Sequence, residues 1–178
     1  YVSEYRPISL CNVVMRIITK VITNRLKRII EGIINKSQNA FVPGRNISNN
    51  ILIAHEVIHN IKNHKTRKIG RMGIKVDMHK AYDKISWNFL RKVLIKMGFP
   101  NHWVTLITSC VTTVSYEILI NGSPLPQFKP SGGLGQGDPL SPYLFVLCMN
   151  VLSQNFDWAA ESGFISGIRI AHGAPTLT

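Results

Sequence analysis

The sequence predicts an α+β fold, with helices packed against one face of a mainly antiparallel sheet. Two observations support this fold class. Apolar residues recur every three or four positions in several long stretches, which is the spacing of amphipathic helices. In other stretches they alternate with polar residues, as in strands, and one such stretch ends at Asn121-Gly122, a strong hairpin signal.

Composition limits the class of protein. The chain of 178 residues is 45% hydrophobic, enough for one domain with a core or for part of a larger domain. Its 21 Lys and Arg against nine Asp and Glu give a net charge of +12, which suits nucleic acid or an anionic membrane surface. The longest apolar run, residues 143–149, is far shorter than a membrane-spanning helix, and no secretory pattern is present. We therefore expect an intracellular protein of the nucleus or cytoplasm.

The three cysteines indicate neither disulfides nor a zinc ribbon, because they are widely spaced and include no C-x-x-C pair. Cys11, Cys110 and Cys148 are expected to be small buried side chains. The chain begins at Tyr1 rather than Met and ends on P-T-L-T, so we expect a fragment of a longer protein.

The first half of the chain predicts an entry loop over residues 1–9, a long helix to residue 33, a loop over 35–48 and a second helix over 49–63. Ser48 is a candidate N-cap of the second helix. The predicted buried stripes are Val14, Ile17, Ile18, Val21, Ile22, Leu26, Ile29, Ile30 and Ile33 on the first helix, and Ile51, Ala54, Ile58 and Ile61 on the second.

The second helix contains a literal H-E-x-x-H sequence at residues 55–59. On a helix, His55 and His59 would share one face and could bind zinc, with Glu56 as a base. The extended form of this motif, with its third ligand, is missing from the sequence. Two surface histidines at helical spacing therefore explain the pattern better than a zinc protease does.

Residues 72–78 predict a strand with one buried face, since Met72, Ile74, Val76 and Met78 alternate with other residues. Asp77 then points away from the apolar face and is free to hold a ligand. Further along, the sequence predicts a helix capped by Ser86 and closed by Gly98, a helix over residues 101–111, and the hairpin around Asn121-Gly122. The inward residues of these two helices are predicted to be Phe89, Leu90, Val93, Leu94, Met97, Val104, Leu106, Ile107 and Cys110.

Residues 131–138 form a glycine-rich loop that leads into a helix with Pro139 at its first position. This loop fits neither G-x-G-x-x-G nor the P-loop pattern, so its glycines alone do not identify a nucleotide site. The helix is expected to run to about residue 160 and to be buried, because it is apolar nearly all round. A short strand over residues 165–171 follows.

Five sequence blocks resemble the reverse transcriptase domain of non-LTR (LINE-type) retrotransposons, in a form common in plant genomes. They are R-P-I-S-L-C-N-V (6–13), A-F-V-P-G-R (40–45), K-V-D-M-H-K-A-Y-D (75–83), M-G-F (97–99) and Q-G-D-P-L-S-P-Y-L-F (136–145), in the family's order and spacing. The resemblance implies part of a right-hand polymerase fold, with fingers over residues 1–70 and palm over residues 71–178. It also implies an RNA template, a DNA primer and deoxynucleoside triphosphates as partners.

The resemblance also implies roles for single residues. Asp77 would bind both Mg²⁺ ions of a two-metal nucleotidyl transfer. Arg6 would grip the triphosphate, Tyr82 would exclude ribonucleotides by packing under the sugar, and Gln136 with Gly137 would line the nucleotide and template strand. Asp83, in the same block as Asp77, would be structural.

Several features depart from that family. Gly132 and Gly135 replace two arginines usual in plant relatives, and Asn49 replaces an aspartate. No adjacent acidic pair occurs, so we expect the chain to stop before the family's F-A-D-D motif and its thumb and to be inactive alone. A non-catalytic, basic nucleic-acid-binding remnant of a decayed element is therefore the main alternative, and the zinc protease is a third.

Overall fold

The computed structural model describes residues 8–63, 70–169 and 176–177. It is mainly helical, with helices α1 (Val13–Ile33), α2 (Ile47–Asn63), α3 (Trp87–Lys96), α4 (Asn101–Thr112) and α5 (Ser141–Glu161). The described strands are β1 (Leu119–Ile120), β2 (Ser123–Pro124), β3 (Ile168–Arg169) and β4 (Thr176–Leu177). A mixed α and β composition is thus confirmed.

A single core joins α1, α3, α4 and α5. Helix α3 packs against both α4 and α5, and α1 packs against α4. The largest side chains that are fully buried in this core are Leu26, Ile30, Leu90, Leu94, Ile107, Leu140, Leu144 and Leu147. Helix α5 contributes Leu144 and Leu147 to this core, and other residues of the same helix form the floor of the candidate site.

The predicted continuous sheet is absent from the described residues, which contain two separate antiparallel pairs, β1–β2 and β3–β4. Residues 72–78 form no strand, and Ile74 and Val76 are 75% and 68% exposed. An alternating sequence becomes a strand only when a neighbouring strand takes up its backbone hydrogen bonds. Within the described ranges no strand pairs with residues 72–78, so the prediction of a strand with one buried face is wrong here.

The hairpin prediction is confirmed. Asn121 and Gly122 have φ of 49° and 82°, the two left-handed residues that a type I′ turn requires. Leu119 pairs with Pro124 and Ile120 with Ser123. The short-range signal was sufficient here because the turn's geometry depends on the two residues themselves.

Helix α1 follows its predicted span, but only three of the nine residues in its predicted stripe are buried. Ile22, Leu26 and Ile30 are in the core, whereas Val14, Ile17, Ile18, Val21 and Ile29 are exposed. Helix α2 has no buried residue at all, so its predicted inward residues are wrong. Helical periodicity identifies a helix correctly but does not establish that a partner covers its apolar face.

Helices α3 and α2 each begin next to a residue whose side chain accepts a hydrogen bond from a backbone N–H in the first turn. The Ser86 hydroxyl accepts from the Phe89 N–H, which confirms the predicted cap of α3. For α2, the Asn46 side chain accepts from the Ser48 N–H, so Asn46 takes the capping role instead of Ser48.

Phe89 and Leu106, predicted inward, are about 40% exposed.

Helix α5 begins at Ser141, two residues beyond the predicted Pro139, and the proline in its first turn is Pro142. Asp138 explains the shift, because its carboxylate accepts from the Leu140 N–H at 2.7 Å and holds residues 138–140 in a separate turn. The predicted strand after Gly163 is present as β3, which pairs with β4.

Candidate functional site

A cleft of about 380 Å³ lies between the segment that carries Asp77 and helix α5. Its lining residues are Gln38, Val76, Asp77, Met78, Ala81, Phe145, Val146, Met149, Leu152, Ser153 and Phe156. Among the described residues of this lining, Asp77 is the only one with a carboxylate. The cleft therefore combines an apolar floor from α5 with one exposed anionic group at its edge.

Tyr82 is connected to this cleft through Phe145. The two rings stack with their centroids 5.0 Å apart and their planes 10° apart. Tyr82 is half-buried, and burial raises the pKa of its phenol, so the hydroxyl stays protonated at neutral pH. The stacked pair makes Tyr82 a rigid side chain beside the cleft.

The glycine-rich loop (residues 131–138) is hydrogen-bonded to the turn that follows Asp77. The Gly133 N–H donates to the Ile85 carbonyl at 2.8 Å, and the Leu134 N–H donates to the Tyr82 carbonyl at 3.0 Å. The Trp87 indole N–H donates to the Gly133 carbonyl at 2.7 Å. These three bonds fix the loop against the start of α3.

The same loop also contacts the N-terminal segment. The Ser9 N–H donates to the Gln136 carbonyl at 2.7 Å, and the Cys11 thiol donates to the Asp138 carboxylate at 3.4 Å. Burial first, and then the Asp138 charge, raise the pKa of Cys11 to about 11. Gly137 has φ of +110°, and a Cβ there would lie 2.7 Å from the Ser9 carbonyl oxygen.

The structure thus brings three of the five sequence blocks together around the glycine-rich loop. Asp77 lines the cleft, and Tyr82 stacks on Phe145 in the floor of the cleft. Gln136 and Gly137 are not among the lining residues. Arg6 lies outside the described residues. The thiol–carboxylate contact between Cys11 and Asp138 had no sequence signal beyond their presence in two of the blocks.

Sequence reasoning also missed that the loop over residues 35–45 contributes Gln38 to a wall of the cleft. Gln38 lines the cleft, and the neighbouring Arg45 donates to four backbone carbonyls. Buried Asn150 on α5 bonds to the backbone of Ile33 and Asn35. A polar residue in an otherwise apolar helix was the available signal for Asn150, and the A-F-V-P-G-R block was the signal for Arg45.

The H-E-x-x-H residues lie on the exposed helix α2. One ring nitrogen of His59 is 2.8 Å from the side-chain amide nitrogen of Asn63. Across residues 8–63, 70–169 and 176–177, no group of three His, Cys, Asp or Glu side chains is placed to hold a metal. This geometry does not favour a zinc protease.

Asp77 fits a different kind of metal site. Mg²⁺ takes oxygen ligands and is commonly held by one or two carboxylates together with water and substrate phosphates. The Asp77 carboxylate is exposed at the cleft edge, where it can serve as one such ligand. The remaining ligands would come from the substrate and from groups other than those lining this cleft.

Comparison with known proteins identifies the family to which this mixed α and β domain belongs. Residues 2–170 match the family described as reverse transcriptase (RNA-dependent DNA polymerase). The chain belongs to this reverse transcriptase family. Members of the family copy an RNA template and generally use a divalent metal.

Named relatives identify the subclass. The chain is 29% identical over 150 residues to the Pol polyprotein of the type-2 retrotransposable element R2DM of Drosophila melanogaster, covering 84% of this chain and 14% of that protein. It is 26% identical over 148 residues to the transposon TX1 149 kDa protein of Xenopus laevis, covering 83% and 11%. An uncharacterized mitochondrial protein of Arabidopsis thaliana is 51% identical over 59 residues, covering 33% and 48%.

The chain therefore has the sequence of a reverse transcriptase domain of a non-LTR retrotransposon. It spans less than half the length of each of these three relatives. Among the described helices, none is both long enough and apolar enough to cross a membrane.

Proposed function

We propose that this chain supplies part of the active site of an RNA-directed DNA polymerase, with Asp77 as its metal-binding carboxylate. The supporting observation is the cleft, where Asp77 lies beside a Tyr82–Phe145 stack that is hydrogen-bonded to the glycine-rich loop. The substrates are an RNA template, a DNA primer and deoxynucleoside triphosphates. The parent polymerase uses Mg²⁺.

The proposed roles come from the family resemblance, and the chemistry of the residues is compatible with them. Bound Mg²⁺ supplies charge stabilisation to the triphosphate during phosphoryl transfer. Asp77 holds the ion through its carboxylate. Tyr82 presents a rigid ring beneath the sugar and excludes a 2′-hydroxyl, a role that its stacking on Phe145 supports. Gln136 and Gly137 line the nucleotide and template, and Arg6 grips the triphosphate.

The proposal extends to organisation and location. Residues 1–70 form the fingers portion and residues 71–178 the palm portion. The polymerase acts inside the cell, in the nucleus or cytoplasm, because RNA templates and deoxynucleotides are present there.

The test uses a polymerase-competent parent protein that contains these residues. Asp77→Asn removes a metal ligand and should lower primer extension on an RNA template at least 100-fold. Asp83→Asn, at an exposed carboxylate in the same sequence block, is the matched control and should retain extension, because Asp83 is not proposed to bind the metal. Normal turnover in the Asp77→Asn protein would show that another carboxylate binds the metal.

The sugar gate is tested in the same assay with ribonucleotides. Tyr82→Val should admit them while leaving deoxynucleotide incorporation largely intact, because only the bulk beneath the 2′ carbon changes. Tyr82→Phe, which keeps the ring, should still exclude ribonucleotides. Equal exclusion by the Val and Phe proteins would assign the gate to a different residue.

A second candidate function is nucleic-acid binding without turnover, which the net charge of +12 favours. Binding through phosphates should weaken steeply with salt and vary little with sequence. A dissociation constant measured between about 50 and 200 mM salt should rise at least 100-fold if several phosphates are contacted. A salt-independent constant would exclude this mode of binding.

A further inference from the structure

The loop over residues 35–45 contributes one residue, Gln38, to a wall of the Asp77 cleft, and this polar side chain has no assigned role. Gln38 lines the cleft together with Asp77, Ser153 and an otherwise apolar set of residues. Its side-chain amide donates one hydrogen bond to the Ala40 carbonyl at 3.1 Å. The second N–H and the amide oxygen have no partner in the part of the chain that the structure describes.

Arg45 holds this wall in place. One terminal nitrogen of its guanidinium donates to the carbonyls of Asn35 and Gln38, at 2.6 and 2.8 Å. The other donates to the carbonyls of Glu31 and Ile34, at 3.0 and 3.3 Å. Two of these four carbonyls belong to the end of α1, where backbone acceptors lack helical partners.

The geometry of these bonds explains why the residue is an arginine. A guanidinium offers five N–H donors in a fixed plane, and four of them are used here. A lysine ammonium has three donors and no fork, so it cannot reproduce the arrangement. With its donors engaged, Arg45 acts on the loop and has little capacity to grip a phosphate.

A second anchor ties the same loop to the floor of the cleft. The Asn150 amide oxygen accepts from the Asn35 N–H at 2.7 Å, and its amide nitrogen donates to the Ile33 carbonyl at 3.3 Å. Asn150 is 1% exposed and lies on α5, the helix that contributes Phe145 to the cleft. The wall and the floor are therefore fixed relative to each other.

We propose that Gln38 hydrogen-bonds the nucleoside part of a nucleotide bound in this cleft, and that Arg45 is the residue that positions Gln38. The inference rests on the proposed function, which places the phosphates and metal at Asp77. A carboxamide is uncharged and both donates and accepts, so it suits a base edge or sugar hydroxyl rather than a phosphate. The aromatic and aliphatic floor suits the ring of the same ligand.

The test measures binding of a fluorescent deoxyadenosine triphosphate, with Mg²⁺, to the 178-residue chain. Gln38→Ala and Arg45→Lys should each raise the dissociation constant about 3- to 10-fold, the range expected for one lost hydrogen bond. The double variant should bind no more weakly than either single variant, because both changes remove one contact. Arg28→Lys, an exposed arginine on α1, is the matched control and should bind normally.

Amide hydrogen exchange separates positioning from a purely structural role. Arg45→Lys should speed exchange over residues 36–45, whereas Gln38→Ala, which removes only the bond to the Ala40 carbonyl, should change exchange there much less. Faster loop exchange in Arg45→Lys with unaltered nucleotide binding would overturn the positioning role. Unaltered binding in Gln38→Ala, or no nucleotide binding by the wild-type chain, would overturn the contact itself.

Asp77→Asn distinguishes this inference from the proposed function. Weaker nucleotide binding in both Asp77→Asn and Gln38→Ala supports the two together. Weakening in Gln38→Ala alone would remove the metal role of Asp77 and leave the Gln38 contact standing. Weaker nucleotide binding in Asp77→Asn alone would support the metal role of Asp77 and remove the Gln38 contact.

Discussion

At the scale of single residues, two glycines differ in whether their position requires a glycine. Gly137 has φ of +110° and packs against the Ser9 carbonyl, so both conformation and space require glycine. Gly32 lies within the exposed last turns of α1, where a Cβ would meet nothing within 4 Å. The sequence did not predict this difference in backbone, because the contact between Gly137 and Ser9 joins residues far apart in the chain.

Substitution by alanine should therefore have opposite effects on stability. Gly137→Ala should lower the free energy of unfolding by about 2 kcal/mol or more, through backbone strain and the clash with Ser9. Gly32→Ala should raise it by about 0.5–1 kcal/mol, because alanine favours the helix. Urea denaturation of the two variants checks both signs, and a Gly137→Ala protein as stable as the wild type would contradict the close packing.

A buried thiol makes stability depend on pH. Burial raises the pKa of Cys148 from 9.0 to about 12 in the folded chain. Between these values the unfolded chain loses a proton that the folded chain keeps, so stability is fully present below pH 9 and falls as the pH rises. The loss due to this group is about 1.4 kcal/mol per pH unit.

Cys148→Ala isolates that contribution. The variant is expected to be less stable at pH 8, since a buried side chain is shortened, but its stability should decline less steeply from pH 9 to 11. Denaturation curves at each pH give the two slopes. Parallel slopes for the wild type and the variant would refute the raised pKa of Cys148.

At the scale of elements, the sequence predicted the helices better than their partners. Local signals, such as the Ser86 cap and the Asn121-Gly122 turn, were confirmed because their chemistry is complete within a few residues. The burial of α2 was predicted wrongly. An apolar stripe indicates a helix face that favours burial, but it does not identify the element that would cover that face. The bonds that join Asn150 on α5 to Ile33 and Asn35 connect residues more than 100 positions apart in the chain, and no local pattern encodes them.

The contact between Asn150 and the end of α1 gives a prediction at this scale. Asn150→Ala should lower the free energy of unfolding by about 2–4 kcal/mol, because it leaves the Asn35 N–H and the Ile33 carbonyl without their buried partner. Asn155→Ala, at an exposed position on the same helix, is the control and should change it by less than about 0.5 kcal/mol. Thermal or urea unfolding provides the comparison, and equal effects would mean that the junction adds no net stability.

At the scale of the whole molecule, the chain exposes an unusually large surface. Its accessible area is 13238 Å², whereas a compact protein of 20.0 kDa is expected to expose about 8,700 Å². Exposed large apolar side chains are concentrated on the first half of α1, on α2 and on residues 72–78. The resemblance predicted the family and the grouping of the sequence blocks, but a folded sheet beside Asp77 requires strands that the described residues do not provide.

The same organisation predicts that the 178-residue chain alone does not polymerise DNA. Two-metal nucleotidyl transfer needs carboxylates from two places in the fold, and within residues 8–63, 70–169 and 176–177 only Asp77 brings a carboxylate to the cleft lining. The other carboxylates that the structure describes in specific contacts are engaged elsewhere. Asp138 accepts from Leu140 and Cys11, and Asp157 accepts from Asn35. No two of the nine acidic residues are adjacent in the sequence, so none forms the pair that the family uses.

One carboxylate can bind a single Mg²⁺ weakly, but it leaves the second ion without a protein ligand, and most of the charge stabilisation of the transition state is then lost. Primer extension on an RNA template, with Mg²⁺ and all four deoxynucleotides, should therefore give no product from the 178-residue chain, while the same preparation still binds nucleic acid. A polymerase-competent parent protein assayed beside it shows that the conditions support extension. Template-dependent product from the short chain, abolished by Asp77→Asn, would mean that a second metal ligand lies among residues this cleft does not include.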